Sequence, residues 1–171
     1  MSLHTSIRER FVPAPGLDQL KRLGQLWNVE STVSVAADKI RIFQALTVPE
    51  YIETWLALPG PNPRMWRASS PAPNEYCIDG WIQKITGHYR VLRRSKLIFT
   101  WTKEGWPRSQ SSLVWLRLLG DFSRTIVCVH HVALPSKEEQ VWHQQLWDTS
   151  LTRLSTLFHV VYQDRKLMSF N

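Results

Sequence analysis

His131 and His143 are the side chains of this chain best suited to chemistry. The first stands at the end of a β-branched run, and the second on the apolar stripe of a long helical segment. Brought together at the mouth of a cavity, two imidazoles can work as an acid/base pair, because an unperturbed histidine changes charge near neutral pH. With Glu138 or Glu139 beside them they can also bind a metal. The plainer alternative is a hydrogen-bonded wall residue at 131 and a partly exposed helix-start residue at 143, since histidine is often semi-buried without any reaction to perform. The chain holds no His-Glu-x-x-His, no Gly-x-Ser-x-Gly, no phosphate-cradling glycine loop and no dinucleotide fingerprint. The residues therefore support no catalytic, metal or cofactor assignment, and the two histidines are placed with the ligand-binding candidates.

Around them runs a series of tryptophan patches in fixed order: Val48 to Trp55, then Phe99-Thr100-Trp101, then His143 to Trp147. Nine tryptophans in 171 residues are either a dense core or the lining of a pocket. Strand and helix parity put Phe99, Trp101, Val127, Val129, Trp147 and Leu151 on one concave side. Trp115 falls in the opposite phase, which predicts a convex-face patch with Ile126 and Cys128. Trp106, in Gly105-Trp106-Pro107, reads as a lid.

The elements that must hold these residues follow from periodicity. Val29, Ser31, Val33 and Val35 alternate with polar neighbours, the period of a strand with one buried face. Asp38 then supplies a helix cap before the stripe Ile40, Phe43 and Leu46, and Pro49 opens a second short helix through Trp55 and Leu56. Proline-rich breakers at Pro59 to Pro63 and Pro71 to Asn74 turn the chain. Further strands are predicted over Glu75 to Trp81, Gln83 to Leu92, Lys96 to Lys103, Ser112 to Leu119 and Arg124 to Leu134, an antiparallel meander. The last segment opens with Pro135-Ser136 and two glutamates, and predicts a helix of more than 20 residues starting near Ser136. Its stripe of His143, Trp147, Leu151, Leu154, Phe158 and Val161 must lie on the sheet. The fold class is α+β, a curved antiparallel sheet of six or seven strands wrapped around one long C-terminal helix, with two short helices after the first strand.

Composition bounds the rest. A chain of this length with 43% hydrophobic residues can bury one core without disulfides, so Cys77 and Cys128 read as free thiols. The boundaries drawn are an extension at 1–26, one domain at 27–163 and a tail at 164–171. Within the extension, Leu17, Leu20, Leu23 and Leu26 predict a short amphipathic helix that docks on the domain or on a second copy, giving a homodimer. No apolar stretch approaches the roughly 20 residues that cross a bilayer, and the N-terminus is charged, so the expectation is a cytoplasmic protein without a membrane partner. The net charge of +7 invites nucleic acid as partner. However, Lys84, His88, Arg90, Arg93, Arg94 and Lys96 alternate with Ile85, Tyr89, Val91 and Leu97, as on the wet face of a half-buried sheet, and no nucleic-acid motif accompanies them.

From Val29 to Phe158 these motifs resemble the START-like (SRPBCC) superfamily, in the branch of homologues of the activator of the heat-shock-protein-90 ATPase. The stretch Ala37 to Glu50 is close to that branch's Ala-x-x-x-x-Val-Phe-x-Ala-Leu-Thr-x-Pro-Glu. Gly80 and Gly87 are similar to its paired glycines, Leu97 to Trp101 to its Leu-Val-Phe-Thr-Trp, and Thr125 to His131 to its Thr-x-Leu-x-Leu-x-His. His143-x-x-Leu146-Trp147 departs from His-x-x-Gly-Trp at Leu146, and Leu56 stands where many members carry tryptophan. The resemblance implies a helix-grip fold that binds an apolar or aromatic molecule, lipid-like or polyketide-like, between sheet and helix. The binding residues would be Trp55, Phe99, Trp101, Val127, Val129, His131, His143, Trp147 and Leu151. Two alternatives accompany it: a cyclase or hydrolase using His131 and His143, and a pocketless co-chaperone-like interaction module. The 26 residues before the first strand are too few for the N-terminal binding domain that co-chaperone activators carry.

Overall fold

Alternating sequence becomes strand wherever one face can be buried, and among the described residues six such runs and one short strand join into a single antiparallel sheet. The computed structural model describes residues 27–58, 66–80, 83–107 and 109–168, with side chains of the last helix as far as His159. Its strands are β1 (Trp27–Val35), β2 (Trp66–Ser69), β3 (Glu75–Gly80), β4 (Lys84–Arg93), β5 (Lys96–Lys103), β6 (Ser112–Gly120) and β7 (Thr125–Leu134). The helices are α1 (Lys39–Thr47), α2 (Pro49–Trp55) and α3 (Lys137–Met168). The sheet order is β1-β7-β6-β5-β4-β3-β2, so six strands form a meander and β1 returns beside the last of them. β2 is the one strand not expected from sequence; its four residues are too few to display a period. The expected amphipathic helix at 17–26 lies outside the described residues.

Local chemistry accounts for the helix ends. The Asp38 carboxylate accepts from the N–H groups of Ile40 and Arg41 at 2.9 and 3.0 Å, satisfying donors that the first turn of α1 leaves free. Val48 closes α1 in an extended conformation, and Pro49 opens α2 where its missing N–H costs nothing. Ser136 caps α3 by accepting from the Glu139 N–H at 3.2 Å. The helix then continues without a break to Met168, past the boundary drawn at 163.

α3 lays His143, Leu146, Trp147, Ser150, Leu151, Leu154 and Phe158 into the core. Facing them from the sheet are Val29, Leu97, Phe99, Trp101, Val114, Leu116, Leu118, Val127, Val129 and His131, all buried. Side chains of α3 also seal the β1 edge. Gln140, Gln144 and Ser155 donate to the carbonyls of Asn28, Glu30 and Ser34 at 2.6, 3.1 and 3.0 Å. Covering an edge in this way removes a template for strand addition. Lys84, His88, Arg90, Arg93 and Lys96 of β4 and β5 are exposed while Ile85 and Leu97 are fully buried, as their alternation required.

One glycine is fixed by close approach. The Tyr76 ring lies across Gly87, with its hydroxyl donating to the Thr100 carbonyl at 2.6 Å, and a Cβ at position 87 would collide with both that ring and that carbonyl. Gly87→Ala is therefore expected to cost about 1–3 kcal/mol, the range for overpacking a filled core. A urea titration that leaves the midpoint unmoved would contradict this packing.

Candidate functional site

At the α3 N-terminal end of the sheet, the ends of β5 and β7, the start of β6 and the first turns of α3 converge on the two histidines. Their ring centroids are 4.6 Å apart, edge to face, and both residues are fully buried. The expectation that they meet is met by the geometry. The expected position at a cavity mouth is not, because neither ring is accessible: β7 parity turns His131 inward, and His143 lies on the core stripe of α3 rather than at a frayed start.

Hydrogen bonds assign the His131 proton. The Trp147 indole N–H can only donate, and it points at His131 Nδ1 at 3.1 Å, so Nδ1 is the bare acceptor and Nε2 carries the hydrogen. Nε2–H donates to the Ser112 hydroxyl at 2.7 Å, which in turn donates to the Trp101 carbonyl at 3.1 Å. This Ser–His pair resembles a nucleophile and its base but runs the wrong way, since the imidazole gives its hydrogen to the serine. Burial, reinforced by His143, holds the His131 pKa well below the usual histidine range. Neutral and satisfied at both nitrogens, His131 is a positioning residue. The acid/base pair considered from sequence loses one of its members.

His143 is arranged differently. Its Nδ1 faces the Glu139 carbonyl at 2.7 Å and the Glu139 carboxylate at 3.4 Å, both acceptors, so Nδ1 carries the hydrogen and Nε2 is a bare lone pair. Burial pushes the His143 pKa down to about 4, against the upward pull of the Glu139 carbonyl and carboxylate and with a smaller push from Lys103. The Lys103 ammonium pairs with the other Glu139 oxygen at 2.7 Å and sits over the Trp142 ring at 4.4 Å. At neutral pH His143 Nε2 is a hydrogen-bond acceptor and too weak a base to drive proton abstraction.

Among the described residues, four buried polar atoms in this region have no hydrogen-bond partner: His143 Nε2, Glu139 Oε2 and the indole nitrogens of Trp101 and Trp106. The Trp101 and Trp106 rings each lie 5.9 Å from the His143 ring. An unmet buried polar group costs about 1–3 kcal/mol, so a cluster of them is a feature that packing alone would remove.

The other expected binding residues divide. Trp147 lies 5.7 Å from Trp101, ring to ring, but its indole N–H is committed to His131. Val127, Val129 and Leu151 are buried in the hydrophobic core that the sheet and α3 share. Phe99 packs in a separate aromatic group with Tyr76 and Tyr89, at 5.5 and 5.6 Å. Trp55 is not at the histidines; its indole donates to the Ala45 carbonyl at 2.7 Å and ties α2 to α1. Sequence reasoning missed Ser112 and Lys103. Ser112 had a signal, being the one polar residue in phase with Val114, Leu116 and Leu118. Trp106 is half-buried against His143, and Trp115 is half-buried with His130 and Ile98 opposite it, while the exposed Ile126 pairs with Leu119, so Trp115 and Ile126 do not share the expected patch. Among the described residues no group of three metal-ligating side chains forms, and no helix is long and apolar enough to cross a membrane.

Comparison with known proteins agrees with this architecture. No curated protein matches the chain. Its fold is similar to that of DynU16, a protein in the dynemicin biosynthetic locus, at 19% identity and a TM-score of 0.61, over 76% of this chain and 46% of that one. This chain thus spans under half the length of DynU16. CalU16 from Micromonospora echinospora is 18% identical with a TM-score of 0.59, covering 76% of this chain and 73% of that one. The Aha1 dimer from Colwellia psychrerythraea is 14% identical with a TM-score of 0.61, covering 77% and 95%. At the level of sequence, residues 36–159 match the family described as Activator of Hsp90 ATPase homolog 1-like protein. The chain belongs to that family, a START-like branch, as the order of its motifs and its helix-grip fold require.

Proposed function

We propose that this protein binds an apolar or aromatic small molecule, lipid-like or polyketide-like, in the groove between the sheet and α3. The observation that carries the reading is the cluster of unpartnered buried polar atoms around His143, set among the rings of Trp101, Trp106 and Trp142, with the apolar Val127, Val129 and Leu151 buried in the same core. Sites for small molecules are mostly apolar, with few polar groups that fix orientation, and this arrangement has that composition. A binding role is favoured over the cyclase or hydrolase alternative because His131 is spent on structure and His143 is weakly basic. Self-association is a second reading, favoured by Leu119, Phe122 and Ile126, which are exposed at and near the β6–β7 turn.

The test is a titration of the purified protein with aromatic and aliphatic probes, read by calorimetry and by melting temperature. Saturable binding of one probe per chain is expected. A probe at a hundred times its Kd should add about 2.7 kcal/mol of stability. No saturable binding and no thermal shift across both probe classes would leave the pocketless interaction module as the better account.

A further inference from the structure

The orphaned atoms around His143 differ in sign, and the difference selects a ligand group. Trp101 Nε1 and Trp106 Nε1 are donors that cannot accept. His143 Nε2 is an acceptor, because its Nδ1 hydrogen is committed to the Glu139 carbonyl. A carboxylate or phosphate would accept from the indoles but would turn a second lone pair toward His143, close to the Glu139 carboxylate. Lys103 offers an anion little, being already paired with Glu139. An ammonium could satisfy the acceptors His143 Nε2 and Glu139 Oε2 but would leave both indole N–H groups unmet. A bare carbonyl or ether fails at His143.

A hydroxyl both donates and accepts. We infer that the ligand places a neutral hydroxyl, of an alcohol, phenol or enol, at this end of the groove. Its O–H donates to His143 Nε2 and its oxygen accepts from the indole N–H groups of Trp101 and Trp106. The rest of the molecule, apolar, runs toward Val129 and Leu151. This inference rests on the ligand-binding reading above and narrows it to hydroxyl-bearing molecules. His131 serves it as a positioning residue, holding Trp147 and, through Ser112, the Trp101 backbone.

Three probes of one ring system separate the possibilities: 2-naphthol, 2-methoxynaphthalene and 2-naphthoate, titrated calorimetrically at pH 7.5 into the full chain. The naphthol is expected to bind roughly ten-fold to a hundred-fold more tightly than its methyl ether, the effect of leaving one or more buried polar groups unpaired. It should exceed the naphthoate by a similar factor. In His143→Phe, which keeps a ring and removes the lone pair, the naphthol-to-ether ratio should fall to about one. Trp101→Phe, which removes a donor that the oxygen of either probe can use, should weaken naphthol and ether alike and leave the ratio nearly unchanged. If a variant fails to fold, the three wild-type affinities still decide.

Equal affinity for naphthol and ether would overturn the hydroxyl inference and leave the ligand-binding reading standing, with an ordered water as the partner of these atoms. Tightest binding of the naphthoate would replace it with an anion site. Absence of binding by all three would sink the ligand-binding reading and this inference with it.

Discussion

Replacing Trp147 with alanine is expected to lower folding stability by about 3–5 kcal/mol, the range for truncating a buried tryptophan. The residue is 2% exposed and packs against Trp101 and His131. Its indole also supplies the hydrogen bond that keeps His131 in one tautomer, so the substitution leaves a buried acceptor unmet at a further cost of about 1–3 kcal/mol. For a chain of this length the combined loss corresponds to a fall in melting temperature of roughly 10 °C or more. Trp147→Phe keeps part of the ring and removes the donor, so it should cost less than Trp147→Ala but still about 1–3 kcal/mol. Chemical denaturation of both variants checks this. A loss under about 1 kcal/mol for Trp147→Ala would mean that Trp147 lines an open, hydrated space instead of holding the core.

Acid should weaken the fold between about pH 6.5 and pH 4. His143 has an ordinary pKa near 6.5 in the unfolded chain and about 4 in the folded protein, where burial opposes its charge. Between those values the unfolded chain binds the extra proton, so stability falls as pH falls, by about 3 kcal/mol in all. Above pH 6.5 both states are neutral at this site, and below pH 4 both are charged, so its contribution is flat outside the window. His131 acts in the same direction, since burial and its neighbour His143 also hold it neutral. Denaturant midpoints taken from pH 7.5 to pH 4 should fall steadily for the wild type and less steeply for His143→Phe. A wild-type midpoint that stays level down to pH 5 would show that His143 is hydrated and not buried as described.

Much of the architecture was legible because it depends on short-range periodicity. The alternation in β1 and in β3 to β7, the Asp38 cap, the Pro49 start and the Ser136 start of α3 each involve residues within a turn or a strand of one another. The buried stripe from His143 to Phe158 follows from 100° per residue and needs no partner to be seen. β2 and the run of α3 past 163 were not seen. A four-residue edge strand is stabilised by its neighbour β3, and the end of α3 carries no proline or glycine stop.

The candidate site divides along the same line. Residue type and phase alone placed Trp101, His131, His143 and Trp147 on facing surfaces, because a strand's inward parity and a helix's inward stripe must meet when one core lies between them. What each histidine can do was decided only by the folded chain. A proton's position depends on donors and acceptors brought from Trp147, Ser112 and Glu139, and only the Glu139 contact is local to its histidine. Sequence spacing carries no record of that pairing, so two similar histidines became a fixed scaffold at 131 and a free acceptor at 143. Trp55 illustrates the converse. Its type suggested a wall, and the nearby Ala45 carbonyl claimed it for the helix pair instead, since a buried indole N–H takes whatever acceptor the packing brings within reach.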